Sequence, residues 1–438
     1  MNNTKELTTF LKNAGHDSFM EIQEKSIFEF KTHDSVLLYS KTGSGKTLAF
    51  LLAMLSKIDD HKQGIQGVII APSRELAIQI NDVFRSLKTG YKATLCYGGH
   101  SMKEEENSLS ETPVILIGTP GRIADHIDRD NVHLDYATFL AIDEFDKCLE
   151  LGFSDEMKFI ISYMDSLKNT MLVSATKMET IPSYLEMKNC ETIDAIIEDD
   201  TINIKEYEVN YRGSLITNLS NLIMSFNNEH SIVFCNFREV AEDVANQLNE
   251  LGITCVAYHG GLEQDQRERA LIKFRNGSAP TLICTDLGSR GLDIPEVNHI
   301  IHYQYPNSKE AFTHRQGRTA RMASDGNSYL FIGETTQLPE YIDLPKNEFK
   351  IPKNNELYLP PNWITLYLSG GKKDKINKID IVGFLSKQGK LENNEIGLII
   401  VQDRSSFVAI ARNKSKKALE KIKQEKIKGK KLKIDIAM

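Results

Sequence analysis

Ser40-Lys41-Thr42-Gly43-Ser44-Gly45-Lys46-Thr47 stands between the apolar run Val36-Leu37-Leu38-Tyr39 and the apolar, helix-like Leu48-Ala49-Phe50-Leu51-Leu52. A strand, a glycine loop and a helix in that order suit the binding of phosphate. Through Thr42, Gly43, Ser44 and Gly45 the backbone can curl its N–H groups toward phosphate oxygens, and the next helix offers its positive N-terminus. Lys46 is placed to reach the terminal phosphates of a nucleoside triphosphate, and Thr47 to hold Mg2+. Ser40 replaces the glycine that usually opens such a loop, and the same pattern also occurs in ordinary glycine-rich turns. A second group sharpens the reading. In Ala141-Ile142-Asp143-Glu144-Phe145-Asp146, carboxylates follow an apolar run, so they fall at the sheet edge where a phosphate loop also lies. Asp143 could hold the metal through water and Glu144 could orient an attacking water. An Asp-Glu pair after a strand is by itself more often a solvated helix start. Beside a phosphate loop in one lobe, the chemical reading prevails.

The elements that must position these groups are legible as alternation. Gly67–Ala71, Ala93–Tyr97, Val114–Ile117, Phe139–Ile142 and Met171–Ser174 are short apolar runs separated by helical stretches, the mark of buried parallel strands. A polar stretch, 197–203, interrupts. The alternation then resumes with Ser231–Phe234, Thr254–Tyr258, Thr281–Cys284 and His299–His302, which predicts a second doubly wound α/β lobe. The lobes repeat a pattern and not a sequence. The stretch 338–362 mixes prolines, asparagines and charges as a linker does. Beyond it, Ile364–Leu368, Glu395–Val401, Phe407–Ile410 and Leu432–Ile436 enclose two helical stretches in the order βαββαβ, a small split sheet. The expected domains are 1–198, 205–337, the linker 338–362 and a module over 363–438.

Composition narrows the class. The chain has 438 residues and a net charge of −7, yet from Trp363 to the end it carries about ten more basic than acidic residues. Such concentration in one terminal module favours an RNA-binding appendage over a merely solvated helix face. No apolar run is long enough to span a bilayer, and the first residues lack the order of a signal peptide. A cytoplasmic location without a membrane partner is expected. The six cysteines are scattered with no Cys-x-x-Cys pair, which predicts buried free thiols and neither zinc nor disulfides.

Read in order, Ile22-Gln23, the phosphate loop, Pro72–Ala77, Gly98-Gly99, Thr119-Pro120-Gly121-Arg122, Asp143–Asp146 and Ser174-Ala175-Thr176 resemble the first lobe of the DEAD-box RNA helicases. Ile232–Asn236, His259–Arg267, Thr285–Asp293 and His314–Arg321 resemble the second. The resemblance implies two tandem RecA-like lobes, ATP and Mg2+ as cofactors, and RNA as partner. It implies that Gln23 grips the adenine edge, that Lys46, Thr47, Asp143 and Glu144 bind Mg-ATP and position water, and that Asp293 contacts the ribose. Arg318 and Arg321 match the arginine fingers of the family. Ser174, Thr176, Asp146 and His314 would couple the nucleotide to RNA. RNA would meet Arg74, Gly98, Gly99, Thr119, Gly121, Arg122, Asn236, Gly261, Thr285 and Arg290, mostly through phosphates and sugars, with little regard for base sequence.

Three departures stand out. Phe145 replaces the family's small alanine, Phe19 and Glu21 stand where prolines are usual before Ile22-Gln23, and Ala320 replaces a glycine between the fingers. The tail resembles the RNA-binding module of the DbpA type. Leu366–Ile376 and Lys426–Leu432 carry that likeness, which implies an α+β RRM-like fold, a structured ribosomal RNA target and a role in ribosome assembly. Lys372, Lys373, Lys375, Lys428 and Lys430 are the expected contacts, because Tyr367 and Phe407 are the only good candidates for base-stacking rings on the sheet. The leading expectation is an ATP-dependent RNA helicase, acting as a monomer. The rivals are an RNA-binding clamp with weak ATPase activity, and a DNA helicase.

Overall fold

The computed structural model describes residues 4–40, 44–99, 101–178, 180–195, 204–286, 297–319, 326–352 and 359–437. In the first lobe the strands are β1 (Ser35–Ser40), β2 (Gly67–Ile70), β3 (Ala93–Cys96), β4 (Ile115–Gly118), β5 (Phe139–Ile142), β6 (Asn169–Ser174) and β7 (Cys190–Ala195). They form one sheet in the order β3-β4-β2-β5-β6-β1-β7, with every pairing parallel. Successive side chains of a strand point to opposite faces, and here both faces are apolar. Val36, Leu38, Ile69 and Ala141 join one core layer, while Val68, Ile70, Leu140 and Ile142 join the other. That double burial explains the near-continuous apolar runs of the central strands. The edge strand β7 was not apparent in the sequence, since Ile193 is its one buried residue.

The second lobe repeats the architecture with β8 (Ile204–Asn210), β9 (Ser231–Phe234), β10 (Cys255–Tyr258), β11 (Thr281–Cys284), β12 (His299–His302), β13 (Gly326–Ile332) and β14 (Asn347–Glu348). The order is β10-β11-β9-β12-β13-β8-β14. The two residues of β14 pair with β8, and Phe349 meets the rings of Tyr207 and Tyr329 edge-on. Part of the stretch expected as a linker therefore folds back along this lobe.

The tail has β15 (Trp363–Leu368), β16 (Ile396–Val401), β17 (Ser406–Ala411), β18 (Lys426–Ile427), β19 (Lys430–Lys431) and β20 (Ile434–Ile436). An antiparallel sheet β16-β17-β15-β20 and a separate hairpin β18-β19 result. Leu366, Leu368, Val408 and Ile410 pack one sheet face against Ile381, Leu385 and Ile422 of the helices Lys378–Lys387 and Arg412–Ile422. By compactness the first lobe is one unit, while the second lobe and the tail together form another.

Candidate active site and nucleic-acid interface

In the first lobe the expected nucleotide-binding residues sit at the C-terminal ends of the strands, where an open parallel sheet leaves room for ligands. Gly45, at φ +82°, turns the chain from β1 into the helix Lys46–Leu55. A Cβ at Gly45 would lie 3.0 Å from Gln23 Nε2 and 3.0 Å from Met20 Sδ. The loop and the Gln23 segment are thus packed so closely that a methyl group would have to displace both side chains. Gln23 is itself buried, and its Oε1 accepts the Met20 N–H at 3.0 Å, so that one amide closes the start of its own helix and faces the phosphate loop.

Lys46 Nζ lies 3.4 Å from Asp143 Oδ1, and both side chains are buried. Burial pulls the Lys46 ammonium toward lower pKa, but the summed attraction of Asp143, Glu144 and Asp146 outweighs it and raises the net value. The lysine therefore stays charged. Glu144 adopts φ 48°, ψ 51°, a left-handed conformation that costs a non-glycine residue on the order of 1–3 kcal/mol and concentrates at functional sites. Its N–H donates to Asp143 Oδ1 at 2.9 Å, while Asp143 Oδ2 is buried without a hydrogen-bond partner among the described residues. A carboxylate oxygen so placed suits a cation or its bound water. Asp146 Oδ2 accepts from Thr176 Oγ1 at 2.8 Å, and Ser174 Oγ donates to the Thr176 carbonyl at 2.7 Å. The ends of β5 and β6 are thereby joined by side chains.

Phe145 is fully buried and belongs to the apolar layer that contains Ile142, Cys148 and Met157. The ring that replaces the small residue is absorbed by the core, with Asp143 and Glu144 still at the edge.

The expected nucleic-acid residues of this lobe occupy the other side of the same edge, beyond β2, β4 and β3. Arg74 opens the helix Arg74–Ser86, capped by Ser73 Oγ, which accepts the Leu76 N–H at 3.2 Å. Its guanidinium lies over Gly98 and Gly99, where a Cβ at Gly99 would come within 2.4 Å of an Arg74 nitrogen. Thr119 precedes the helix Pro120–Asp128, and Gly121 has open space around its Cα. Arg122 Nε pairs with Glu105 Oε2 at 2.9 Å.

In the second lobe Arg315 is fully buried and stacks over Phe234 at 5.1 Å. It donates to Asp286 Oδ1 at 2.6 Å, the Gln304 carbonyl at 2.8 Å and Asn236 Oδ1 at 2.9 Å. Asn236 Nδ2 donates to the Tyr305 carbonyl at 2.8 Å, so this side chain, expected to face RNA, is engaged inside the lobe at both ends. Arg315, inside His314–Arg321, carries no local sign of this role in the sequence. Gly261 donates its N–H to His259 Nδ1 at 3.2 Å, Thr285 is partly buried just beyond β11, and His314 lies on the helix Lys309–Gln316 with Arg318 just past its end. Thr42, Gly43, Arg290, Asp293 and Arg321 fall outside the described residues.

In the tail, the loop 372–375 and the β18-β19 turn bring the expected lysines to one edge. Lys428 Nζ pairs with Asp380 at 2.8 Å and donates to the Lys375 carbonyl at 2.8 Å, Lys430 pairs with Asp374 at 2.9 Å, and Lys372 and Lys375 are exposed. Exposed pairs of this kind contribute only about 0–1 kcal/mol and exchange readily for phosphate. The sheet face behind β15 and β17 is used otherwise. Phe407 and Ala437 cluster with Ile272 of the second lobe, Arg269 lies 5.6 Å over the Tyr367 ring, and Ser278 Oγ and Thr365 Oγ1 are 2.6 Å apart. Phe407 is buried by these contacts and Tyr367 is half-buried.

The family description "DEAD/DEAH box helicase" matches residues 20–182, "Helicase conserved C-terminal domain" matches 214–323, and "DbpA RNA binding domain" matches 365–436. "ATP-dependent RNA helicase DbpA" of Escherichia coli (strain K12) is 32% identical over 437 residues, covering 96% of this chain and 95% of that protein. This chain belongs to the DEAD-box family of ATP-dependent RNA helicases. The protein of the same name from Bacillus subtilis (strain 168) is 29% identical over 469 residues, 98% of this chain and 96% of the relative. Among solved structures, S. cerevisiae Dbp5 bound to RNA and ADP BeF3, in a single-residue variant, aligns with a TM-score of 0.66 at 25% identity, over 75% of this chain and 88% of that one. The chemistry of the family is RNA-stimulated hydrolysis of ATP. No described helix is long and apolar enough to cross a membrane.

Proposed function

We propose that this helicase locally opens structured ribosomal RNA during ribosome assembly, in the cytoplasm and as a monomer, with Mg-ATP governing its grip on a strand. The observation that carries the catalytic part is the buried Lys46–Asp143 pair beside the strained Glu144. Lys46, with the glycine loop, binds the terminal phosphates, and Gln23 holds the adenine end. Asp143 and Thr47 would hold Mg2+, which when bound neutralises charge on the β- and γ-phosphates. The unpartnered, buried Asp143 Oδ2 fits that role. Glu144 orients the attacking water, and Arg318 and Arg321 neutralise charge that develops on the transferred phosphoryl group. The Asp146–Thr176 bond links phosphate loss to β6. Arg74, Gly98, Gly99, Thr119, Gly121 and Arg122 receive the RNA backbone in the first lobe. In the second lobe Gly261, Thr285 and Arg290 do so, while Asn236 acts through the loop it braces.

The ribosomal target rests on the tail, whose match to the DbpA RNA-binding domain covers residues 365–436. Its lysine edge is the surface we assign to that RNA. Opening a few base pairs costs about 1.4 kcal/mol per step, so repeated local closure suffices without processive tracking. The experiment is ATP hydrolysis with three stimulators: a structured large-subunit rRNA fragment, a plain RNA strand and a DNA strand. Stimulation led by the structured fragment, loss of that preference on truncation at 362, and loss of turnover in Glu144→Gln are expected. Wild-type turnover as low as that of Glu144→Gln would establish the clamp reading instead, and equal stimulation by DNA would establish a DNA helicase.

A further inference from the structure

Glu105 is a carboxylate that is only 1% exposed, on the helix Met102–Leu109, and neither the motifs nor the chemistry above uses it. Its Oε2 is 2.9 Å from Arg122 Nε and 2.8 Å from His126 Nε2, and its Oε1 accepts the Tyr97 N–H at 3.2 Å. His126 Nδ1 lies 3.3 Å from Asn131 Nδ2. The ring is thus placed between the Asn131 amide at Nδ1 and the Glu105 carboxylate at Nε2. The guanidinium supplies the compensating positive charge that a buried carboxylate requires. Cys96 Sγ completes a group whose ligand atoms lie within 4.8 Å, but a metal there would need a thiolate, and burial together with the Glu105 charge keeps the Cys96 thiol protonated. The cation of this site is Arg122.

We infer that Glu105 is a positioning residue for RNA, holding in one register the two pieces of the first lobe that meet the strand. One piece is Arg122 itself. The other is Tyr97-Gly98-Gly99, the glycine turn beneath the Arg74 guanidinium. Arg122 is paired through Nε with Glu105, while its Nη1 makes only a long 3.4 Å contact to Asp125 Oδ2 on the same helix, which a phosphate can replace. A long, flexible arginine held this way loses less freedom on binding RNA. The inference rests on the reading that Arg122 contacts RNA.

The test is a double-mutant cycle on the full chain, read by RNA-stimulated ATPase and by the salt dependence of RNA binding. Glu105→Gln keeps size and one acceptor but removes the charge. It is expected to raise the RNA half-saturation constant about tenfold, the scale of one lost charge-assisted contact, and to lower the salt slope by about one. kcat at saturating RNA and KM for ATP stay unchanged. Arg122→Gln produces the same pair of effects, and the double variant is no worse than Arg122→Gln alone. If Glu105→Gln fails to fold, Glu105→Asp, which keeps the charge but falls one methylene short, is read in the same way. An unchanged RNA constant for the Glu105 variant beside a raised one for Arg122→Gln overturns the inference, as does full additivity. An unchanged constant for Arg122→Gln overturns the RNA reading on which it rests.

Discussion

Replacing Phe145 by the alanine usual in the family separates a packing role from a catalytic one. The ring is fully buried in the first lobe's second core layer, so Phe145→Ala removes most of an aromatic side chain from a site closed on all sides. Substitutions of this class cost about 3–5 kcal/mol, because the lost transfer energy is joined by the energy of the cavity. For a unit of this size each kcal/mol shifts the melting temperature by about 2–4 °C, which gives a fall of roughly 6–20 °C for the first lobe. The catalytic edge should feel far less of this. Asp143 and Glu144 are fixed by their own contacts, the Lys46 pair at 3.4 Å and the Glu144 N–H bond at 2.9 Å. RNA-stimulated kcat, measured well below the melting range, is therefore expected to stay level or to fall slightly. Thermal melts followed by circular dichroism, set beside steady-state ATPase on the same preparation, decide the matter. A rise in kcat with an unchanged melting temperature would refute the reasoning, since it would show that the ring restrains turnover and is not simply part of the core.

Three further outcomes follow from individual contacts. Gly45→Ala forces a side chain into the left-handed region, at about 1–2 kcal/mol, and drives it onto Gln23 and Met20 at 3.0 Å; KM for ATP should rise about tenfold, with reduced discrimination between ATP and GTP in competition assays. Ile272→Asp buries an unpaired carboxylate against Phe407 and Ala437, which should release the tail from the second lobe while each remains folded. The single tryptophan reports this directly, because Trp363 Cδ1 would lie 3.5 Å from a Cβ at Gly277; a red shift in its emission is expected, and an unshifted spectrum refutes the seating. Acid should weaken the second lobe. Burial first, and the Arg315 charge second, hold the His302 imidazole well below its usual pKa, and burial likewise lowers His259 and His299. Unfolded histidines take up protons near pH 6.5 while these folded ones resist. Their contribution is thus complete above about pH 6.5 and is lost as the pH falls below it. Urea midpoints should drop steadily through that range, with a shallower drop in His302→Gln.

Legibility followed chemistry and burial. The phosphate loop, the Asp143–Asp146 run and Arg74, Gly98 and Gly99 stood out because the chemistry expected of each needs a particular residue type at a particular spacing. Most of the central strands could be read because burial on both faces makes them continuously apolar, whereas β13, also largely buried, begins with Gly326-Asn327-Ser328 and did not stand out. β7 and β8 carry no such signal. Each alternates polar with apolar residues at or near a sheet edge, and only their pairing partners define them. Arg315 and Glu105 were illegible for a different reason. A charged residue on a helix is ordinarily solvated, and nothing local tells that Arg315 will meet Asp286, Gln304 and Asn236, or that Glu105 will meet Arg122, His126 and Tyr97.

The tail's sheet face extends this point. Tyr367 and Phe407 are directly paired across β15 and β17, with ring centroids 5.5 Å apart, which is the local signature of a platform for stacked bases. What decides their use is distant in sequence. Ile272 supplies apolar contact and Arg269 lays a planar cation over Tyr367, so the second lobe offers those rings much of what a nucleobase would. The rings are therefore engaged by protein, and the basic charge that the composition revealed is left to the edge, where Lys372, Lys375, Lys428 and Lys430 converge from two loops. A surface made of loops and lysines can follow the shape of a folded RNA, whereas a flat aromatic sheet suits a single strand. The same physical partition that seats the tail on its lobe thus supports the structured target proposed for it.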